Sequence, residues 1–594
     1  MKKIFPLPQN VISKIAAGEV IERPVYAVKE LIENSLDAGA DTITILVEES
    51  GLRKIAVIDN GEGMSLEDVK ECFKPHSTSK ISSEEELSHI HTLGFRGEAL
   101  SSIASISRLI IKSKRAEDTT GTQIELHEGK IEKISPIGMP HGTEIVIEGL
   151  FGPVPARKKF LKSSRTEFRH TIELIISVAL SYPNVHFSLS HNGKMIFDLP
   201  KPTPTLPYQG GSKRSSPPEK GELEEVFERI NMLLGRDIFS NLLPVSYEDS
   251  YIKISGFLGK PQIAKGIASK QYIYINNRKV TNKQIAFAVK EAYGTLLQSG
   301  KYPVFLLFVS LPFEAVDVNV HPRKEEVRFI NNQLIAEAVH GAVAKTLTEN
   351  NLTFNNYWKH DLFPDEYSLK DAPLSLPNTH SYAGRILKED KFPWSLQTII
   401  EVSPTTDIIQ LHNLYLALPT QHGMLLVDQH AAHERILYEQ LLESFKDKKK
   451  ELALYKFSKP HVFELDFVES ELLQENVAFF AEMGFAIEHF KANSFLLHAL
   501  PLLLHDRNAK QLISEMLENI SQEKKAKDLD EISRKTIAYI ACRGAVKRGD
   551  KLTKKQARDL LEKLEQTSNN ATCPHGRPVK VEISLDKLHK LFKR

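Results

Sequence analysis

A stretch of weak periodicity from residue 349 to residue 395, rich in Asn, Pro, Ser and Asp, constrains this chain most, because no packed core can run through it. It reads as a linker, so the segments on either side must each bury a core of their own. A length of 594 residues leads to three or four expected domains. A second break, Lys201 to Lys220, is dense in Pro, Gly, Ser and Lys and reads as an exposed disordered loop. The expected units are therefore 1–200, 221–345 and 401–594, separated by the loop at 201–220 and the linker at 346–400, with a subdomain inserted at about 460–525.

Helical and strand patterns alternate in all three units, which places the chain in the α/β (α+β) class. Thr42 to Glu48 and Arg53 to Asp59 read as strands joined through Gly51. In the second unit Tyr251 to Leu258, Tyr272 to Ile275 and Val304 to Val309 read as strands, Lys283 to Leu297 as a helix, and the last strand ends near Phe329. Asn332 to Thr348 reads as a helix. In the third unit Leu414 to Leu418, Met424 to Val427 and Phe495 to Leu497 read as strands.

A net charge of +1 excludes neither nucleic acid nor acidic partners, since local clustering decides. Arg157, Lys158, Lys159, Lys162, Arg165 and Arg169 form one basic cluster, and Lys547, Arg548, Lys551, Lys554 and Lys555 another. Three cysteines, Cys72, Cys542 and Cys573, speak against a disulfide framework and for a reducing compartment. No run reaches membrane-spanning length, so a cytoplasmic protein is expected.

Two regions carry chemistry. In the first, a helix from Pro24 to Ala38 aligns Glu30, Glu33, Asn34 and Asp37 on one face, with Val25, Val28, Leu31, Ile32 and Leu36 opposite. Acids crowded on one face repel, and a hydrated Mg²⁺ held at Asn34 would relieve the crowding. Glu30 is then placed to activate a water for attack on a phosphate. Asp59-Asn60-Gly61-Glu62-Gly63 closes a strand with a carboxylate suited to an exocyclic amine such as that of adenine. Thr78, Ser79 and Lys80 offer hydroxyls and a cation to phosphates, and Gly94-Phe95-Arg96-Gly97-Glu98-Ala99-Leu100 reads as a glycine-flexible lid. Lys324 lies far along the chain, within reach of a γ-phosphate from the second unit. There is no phosphate loop of the G-x-x-x-x-G-K-[ST] kind.

In the second region, Asp428-Gln429-His430-Ala431-Ala432-His433-Glu434 follows an apolar strand. A helix starting near His430 puts His430 and Glu434 on one face, with Asp428 at the turn before it, a donor set suited to Zn²⁺ or Mn²⁺. Cys573 and His575 supply a thiolate and a second imidazole, and Cys542 a further soft ligand.

These motifs together resemble the MutL family of DNA mismatch repair proteins, within the wider group of Bergerat-fold ATPases that includes gyrase B, a heat-shock chaperone and histidine kinases. The resemblance rests on Ile15-Ala16-Ala17-Gly18-Glu19-Val20-Ile21, the Glu30 helix, Asp59-x-Gly61-x-Gly63, Thr78-Ser79-Lys80 and the Gly94–Leu100 lid, and it extends over essentially the whole chain. It implies an N-terminal Bergerat-fold ATPase sandwich in which Glu30 activates water, Asn34 holds Mg²⁺, Asp59 reads adenine and Lys324 meets the γ-phosphate. Gly142-Thr143 matches the family's last nucleotide motif, which adds Thr143 to the ATP ligands. Asp428 to Glu439 fits the Asp-Gln-His-Ala-x-x-Glu-x-x-x-x-Glu signature of members that nick DNA, and Ala541-Cys542-Arg543, Cys573-Pro574-His575-Gly576-Arg577-Pro578 and Phe592-Lys593-Arg594 resemble the motifs that accompany it.

Catalytic roles for Asp428 and Glu434 follow, with Asp428, His430, Glu434, Cys542, Cys573 and His575 as metal ligands. Helix geometry turns Glu439 away from His430 and Glu434, so a structural role is expected for it. The partners implied are DNA, a MutS-type mismatch-recognition protein, a sliding clamp and a second copy of the chain. One departure is Pro153, which stands in the Leu150–Arg157 run where the family pattern has asparagine and alters the hydrogen bonding of that loop. The alternative function is an ATP-switched matchmaker without nuclease activity.

Overall fold

The computed structural model describes residues 14, 17, 18, 20–80, 92–94, 97–202, 220–298, 300–317, 327–350, 352, 407–446, 452–522, 529–545 and 549–592. Two compact units divide the chain, one built on residues up to 354 and the other on most residues beyond. The expected loop over 201–220 falls almost wholly outside the described residues, as does the linker.

The first unit opens with the helix Pro24–Asp37. Proline at its first turn fits because that position lacks an intrahelical acceptor in any case. Val25, Val28, Leu31 and Ile32 are buried beneath it. Eight strands form one sheet: β1 (Thr42–Glu48), β2 (Lys54–Asp59), β3 (Arg108–Lys114), β4 (Gly121–His127), β5 (Lys130–Ile137), β6 (Gly142–Glu148), β7 (His186–His191) and β8 (Lys194–Leu199), in the order β5-β4-β3-β6-β2-β1-β7-β8. Alternation along β1 turns Ile43, Ile45 and Val47 into the core, where each contributes about 1.5–3 kcal/mol. β2 lies between β1 and β6, so Asp59 ends a central strand opposite Thr143.

A five-stranded sheet follows: β9 (Leu242–Glu248), β10 (Lys253–Gly259), β11 (Gln271–Ile275), β12 (Arg278–Val280) and β13 (Phe305–Ser310), ordered β12-β11-β13-β10-β9. A two-stranded ladder of β14 (Val316–Asp317) and β15 (Arg328–Phe329) precedes the helix Asn332–Glu349. The five-stranded sheet is buried on both faces. Tyr272, Tyr274, Leu306 and Phe308 join the core of the first sheet. Ile273, Ile275, Leu307 and Val309 pack instead against Lys283–Tyr293 and Asn332–Glu349. One apolar core therefore runs continuously across the boundary drawn at residues 201–220. Arg229 reinforces it. Its guanidinium is fully buried and donates to the carbonyls of Pro183, Val185 and Leu199, and burial lowers its pKa to about 10.

The second unit contains β16 (Ile409–Leu411), β17 (Tyr415–Thr420), β18 (Gly423–Asp428) and β22 (Lys580–Ser584), paired in that order. Between β18 and β22 the chain departs to form a separate sheet of β19 (Leu454–Glu464), β20 (Ala486–Lys491) and β21 (Ser494–Pro501), ordered β19-β21-β20. These strands lie between residues 454 and 501. Leu416, Leu418, Leu425 and Val427 bury one face of the four-stranded sheet against the helices Gln429–Lys446 and Lys554–Glu565. The other face carries Ile409, Leu411, Tyr415, Met424, Leu426 and Ile583 by cross-strand register, and the first three are exposed.

A nucleotide pocket and a histidine–cysteine–carboxylate cluster

The Pro24–Asp37 helix and the end of β2 frame a pocket of about 810 Å³, a size suited to a nucleotide. Glu30, Asn34, Asp37, Asp59, Gly63, Thr78, Ser79, Lys80, Gly94, Gly97 and Thr143 line it. Residues from five separate sequence motifs thus meet in one cavity. Phe95, Arg96 and Lys324 lie outside the described residues.

Asp59 is held on three sides. Its Oδ2 accepts from Ser35 Oγ at 2.7 Å, and its Oδ1 accepts from the backbone N–H groups of Gly61 at 3.0 Å and Thr143 at 3.3 Å. Burial pushes the carboxyl's pKa up, and these hydrogen bonds offset only part of that rise. Ser35, absent from the expected site, fixes the carboxylate's orientation. Its position beside Asn34 on the helix is the one sequence signal that points to it. Gly142 has φ +121°, and a Cβ there would stand 2.1 Å from the Asp59 carbonyl, so only glycine lets β6 lie against that strand end. At the lid, a Cβ on Gly97 would come within 2.6 Å of the Ser77 carbonyl.

Lys80 Nζ donates to Asn34 Oδ1 at 2.9 Å and to Asp37 Oδ2 at 2.5 Å. A lysine in this place shows that Asn34 and Asp37 present oxygens suited to a cation. Glu33 departs from the expected acidic face. It pairs with Lys29 at 2.5 Å and lines a different cavity. Burial opposes the Lys29 charge, but Glu33 and Glu30 outweigh it and raise the ammonium's pKa. The expected crowding of four polar groups is thus eased by a lysine of the same helix, because Glu33 sits far enough round its circumference to meet Lys29.

In the second unit, the helix Gln429–Lys446 brings His430 and Glu434 together as their spacing requires, with Nε2 and Oε1 3.1 Å apart. His575 Nδ1 lies 3.7 Å from Glu434 Oε2. Two groups of donor atoms form, each within 4.8 Å: His430, Glu434 and Cys542, and Glu434, Cys573 and His575. Glu434 belongs to both and is buried. Its burial alone would raise the pKa, but hydrogen bonds with His430, His575 and Cys542 hold it well below the carboxylate range. Soft sulfur, imidazole and a shared carboxylate fit a zinc-type donor set.

Asp428 takes another position. Its Oδ1 accepts from the N–H groups of His430 and Ala431 and caps the helix. It belongs to neither donor group among the described residues. Glu439 has the structural place expected for it: its carboxylate accepts from Ser568 N–H at 2.6 Å, Ser568 Oγ at 2.9 Å and Asn569 N–H at 3.1 Å. Arg435 Nε donates to the Thr572 carbonyl at 2.7 Å. Neither anchor partner carries a sequence signal, yet both hold the segment that presents Cys573 and His575.

Three family models match successive segments: a histidine kinase-, DNA gyrase B- and HSP90-like ATPase over residues 22–143, the C-terminal domain of a DNA mismatch repair protein over 230–348, and a MutL C-terminal dimerisation domain over 408–552. The DNA mismatch repair protein MutL of Chloroherpeton thalassium is 32% identical, with 100% of both chains covered. That of Trichlorobacter lovleyi is 34% identical over 99% of each. The chain belongs to the MutL family of DNA mismatch repair proteins.

Among solved structures, the Aquifex aeolicus MutL ATPase domain complexed with ADP is 28% identical, covering 54% of this chain and 98% of that one, with a TM-score of 0.36. As a MutL-family chain, the protein carries an ATPase domain whose matched segment contains Glu30, Asn34, Asp59 and the lid. Its dimerisation-domain match contains His430, Glu434 and Cys542, whereas Cys573 and His575 fall beyond it. The basic cluster at 157–169 is not one exposed patch. Arg157 Nη2 donates to the Lys14 carbonyl and packs where Gly18 has no Cβ, and Arg169 is buried, while Phe160 projects into solvent beside Lys158 and Lys159. No described helix is long and apolar enough to cross a membrane.

Proposed function

We propose that this chain is an ATP-driven matchmaker that links mismatch recognition to downstream repair and carries a metal-dependent DNA-nicking site. The cluster around Glu434 carries the nuclease reading. A switch-only protein has no need of two groups of three donors, each within 4.8 Å and joined through one buried carboxylate. His430, Glu434, Cys542, Cys573 and His575 would hold Zn²⁺ or Mn²⁺, and Asp428, beyond its cap, would lend its charge to the ion that does the chemistry. A bound ion of this kind supplies a more acidic water and charge stabilisation for the leaving 3′-oxygen of a cut strand. Glu434 orients both imidazoles, one on each oxygen, and the Asp428 cap fixes the start of the helix that carries His430.

In the ATPase pocket, Asp59 accepts the adenine amine, with Ser35 and two backbone N–H groups fixing its orientation. Thr143, which faces it from β6, completes that end. Asn34 and Asp37 would hold Mg²⁺, and Lys80, Thr78, Ser79, Gly94 and Gly97 would meet the phosphates. Glu30 orients the attacking water and takes its proton. Lys324 contacts the γ-phosphate.

A homodimer is supported by the apolar face of Ile409, Leu411, Tyr415 and Ile583, which a second copy would cover. DNA, a MutS-type mismatch-recognition protein and a sliding clamp are the remaining partners, in the cytoplasm.

Nicking of supercoiled plasmid with Mn²⁺ tests the reading. Wild type should nick, and Asp428→Asn, which keeps the helix cap but removes the charge, should lose nicking while ATP turnover persists. Retained nicking in that variant removes Asp428 from the site. Absence of nicking in the wild type, with and without a sliding clamp, favours the switch-only matchmaker.

A further inference from the structure

The helix Pro24–Asp37 stands between two cavities. Glu30, Asn34 and Asp37 line the nucleotide pocket. Tyr26, Lys29, Glu33 and Leu36 are spaced by three or four residues, so they stack along the neighbouring face, and they line a second cavity of about 330 Å³. Among the described residues the two cavities share no lining side chain. The far wall of the second comes from Leu174, Ser177 and Val178 of the helix Ser164–Ser181 and from Tyr274, Arg278 and Val280 of β11 and β12.

Charge in this cavity is uneven. Arg23, Lys29, Arg278 and Lys279 line it, against the carboxylates of Glu33 and Glu173. Lys29 is matched by Glu33 at 2.5 Å, and Arg23 reaches Glu167 at 3.7 Å. Arg278 is matched less well. Its Nη2 donates to the Thr92 carbonyl, a neutral group, and its Nη1 is buried without a hydrogen-bond partner among the described residues. Burial lowers its pKa, against the pull of Glu33, Asp37 and Glu30. A buried guanidinium donor left unmatched is costly, whereas one that meets an anion makes a strong hydrogen bond, so the cavity favours a negative group beside Arg278.

His170, another lining residue, carries a second unmatched atom. Its Nδ1 lies 3.3 Å from Glu173 Oε2, and its Nε2 is buried without a hydrogen-bond partner among the described residues. Neighbouring hydroxyls are engaged: Tyr274 OH donates to the Ser177 carbonyl, Ser177 Oγ to the Leu174 carbonyl and Ser181 Oγ to the Asn277 carbonyl. Val25, Leu36, Leu174, Val178 and Val280 add apolar wall. A volume of about 330 Å³ lies at the small end of ligand-pocket sizes, and a bare inorganic ion would leave most of it empty.

We propose that this cavity is a second ligand site of the first unit, which takes a compact organic carboxylate, its negative head on Arg278 and its apolar body against Leu36, Leu174, Val178 and Val280. A guanidinium keeps its charge when buried, which recognition of an anion in a largely apolar cavity requires. The site stands whether or not the ATPase and nicking readings hold, because it uses none of their residues.

The test uses the full chain in equilibrium dialysis with 2-naphthoate, its neutral analogue 2-naphthamide, and inorganic phosphate. Wild type should bind 2-naphthoate roughly tenfold tighter than either of the others, and equally well with saturating ADP present. Arg278→Met should erase the preference for the acid over the amide. Val178→Phe, which puts a ring into the cavity, should remove 2-naphthoate binding and leave ADP affinity within about twofold, which also shows that the variant folds. Where Val178→Phe loses ADP affinity as well, the acid–amide comparison in wild type and Arg278→Met decides alone. No binding of 2-naphthoate at millimolar concentration, equal affinity for acid and amide, or displacement by ADP overturns the proposal. So does phosphate binding as tight as that of 2-naphthoate, which marks a site for a free inorganic ion, and so does 2-naphthoate binding that survives Val178→Phe.

Discussion

The nucleotide pocket and the Glu434 cluster solve the same problem, holding charge where water is scarce, in opposite ways. The pocket spreads its carboxylates over a wide cavity and satisfies each separately: Asp59 by Ser35 and two backbone N–H groups, Asp37 by lid amides and Lys80, Glu30 in the reach of Lys29. The cluster gathers its donors on one carboxylate, so Glu434 answers for His430, His575 and Cys542 together. Distributed support tolerates the loss of one contact, whereas a shared hub does not.

That contrast can be broken by four substitutions, taken from the largest effect down. Glu30→Ala should reduce ATP hydrolysis by roughly 10²–10⁴-fold while leaving nucleotide affinity within a few-fold, since the groups that hold the nucleotide remain. Phosphate release and fluorescent-nucleotide titration read the two, and wild-type turnover would remove Glu30 as the base. Glu434→Gln should cut bound zinc and plasmid nicking together by roughly 10–100-fold, with ATP turnover intact. Metal analysis of the purified chain checks this, and undiminished zinc would show that the hub is not shared.

Glu439→Gln sharpens the comparison further. It loosens the Ser568–Asn569 anchor without touching a donor atom, so nicking should fall about tenfold and recover as Mn²⁺ is raised. Failure to recover would place Glu439 among the ligands. Asp59→Asn gives the smallest effect and the opposite sign for stability. The Asp59 pKa is raised in the folded chain, so its contribution to stability is full below the ordinary carboxylate range and lost as pH rises through the elevated value. At pH 7 the neutral side chain should therefore melt about 2–4 °C higher in the absence of nucleotide, and the gain should vanish toward pH 4. Nucleotide binding should drop in the same variant.

Local patterns carried far in the sequence. β1 ends where alternation ends, β2 stops on Asp59, and the i,i+4 spacing of His430 and Glu434 survives as a 3.1 Å contact. What stayed hidden depends on distant partners. β9 shows as a strand only beside β10. Arg229 reads as one more charged residue until three carbonyls surround it. Arg278 meets Thr92 across most of the first unit, and Glu33 turns from the phosphate side because Lys29 lies one turn back. The thiol of Cys573 and the imidazole of His575 stand out by residue type, but the Glu439 and Arg435 anchors of their segment do not, because an anchor of backbone groups leaves no residue signature.

The pairing of β18 with β22 across a long insertion also sets a timetable for synthesis. Ribosomes release a chain at about 5–20 residues per second, so roughly 7–30 s separate the emergence of His430 from that of His575. Every described wall of the nucleotide pocket, through Ile145, is made well before that. A nascent chain thus completes the described walls of its nucleotide pocket before the donor atoms around Glu434 can meet.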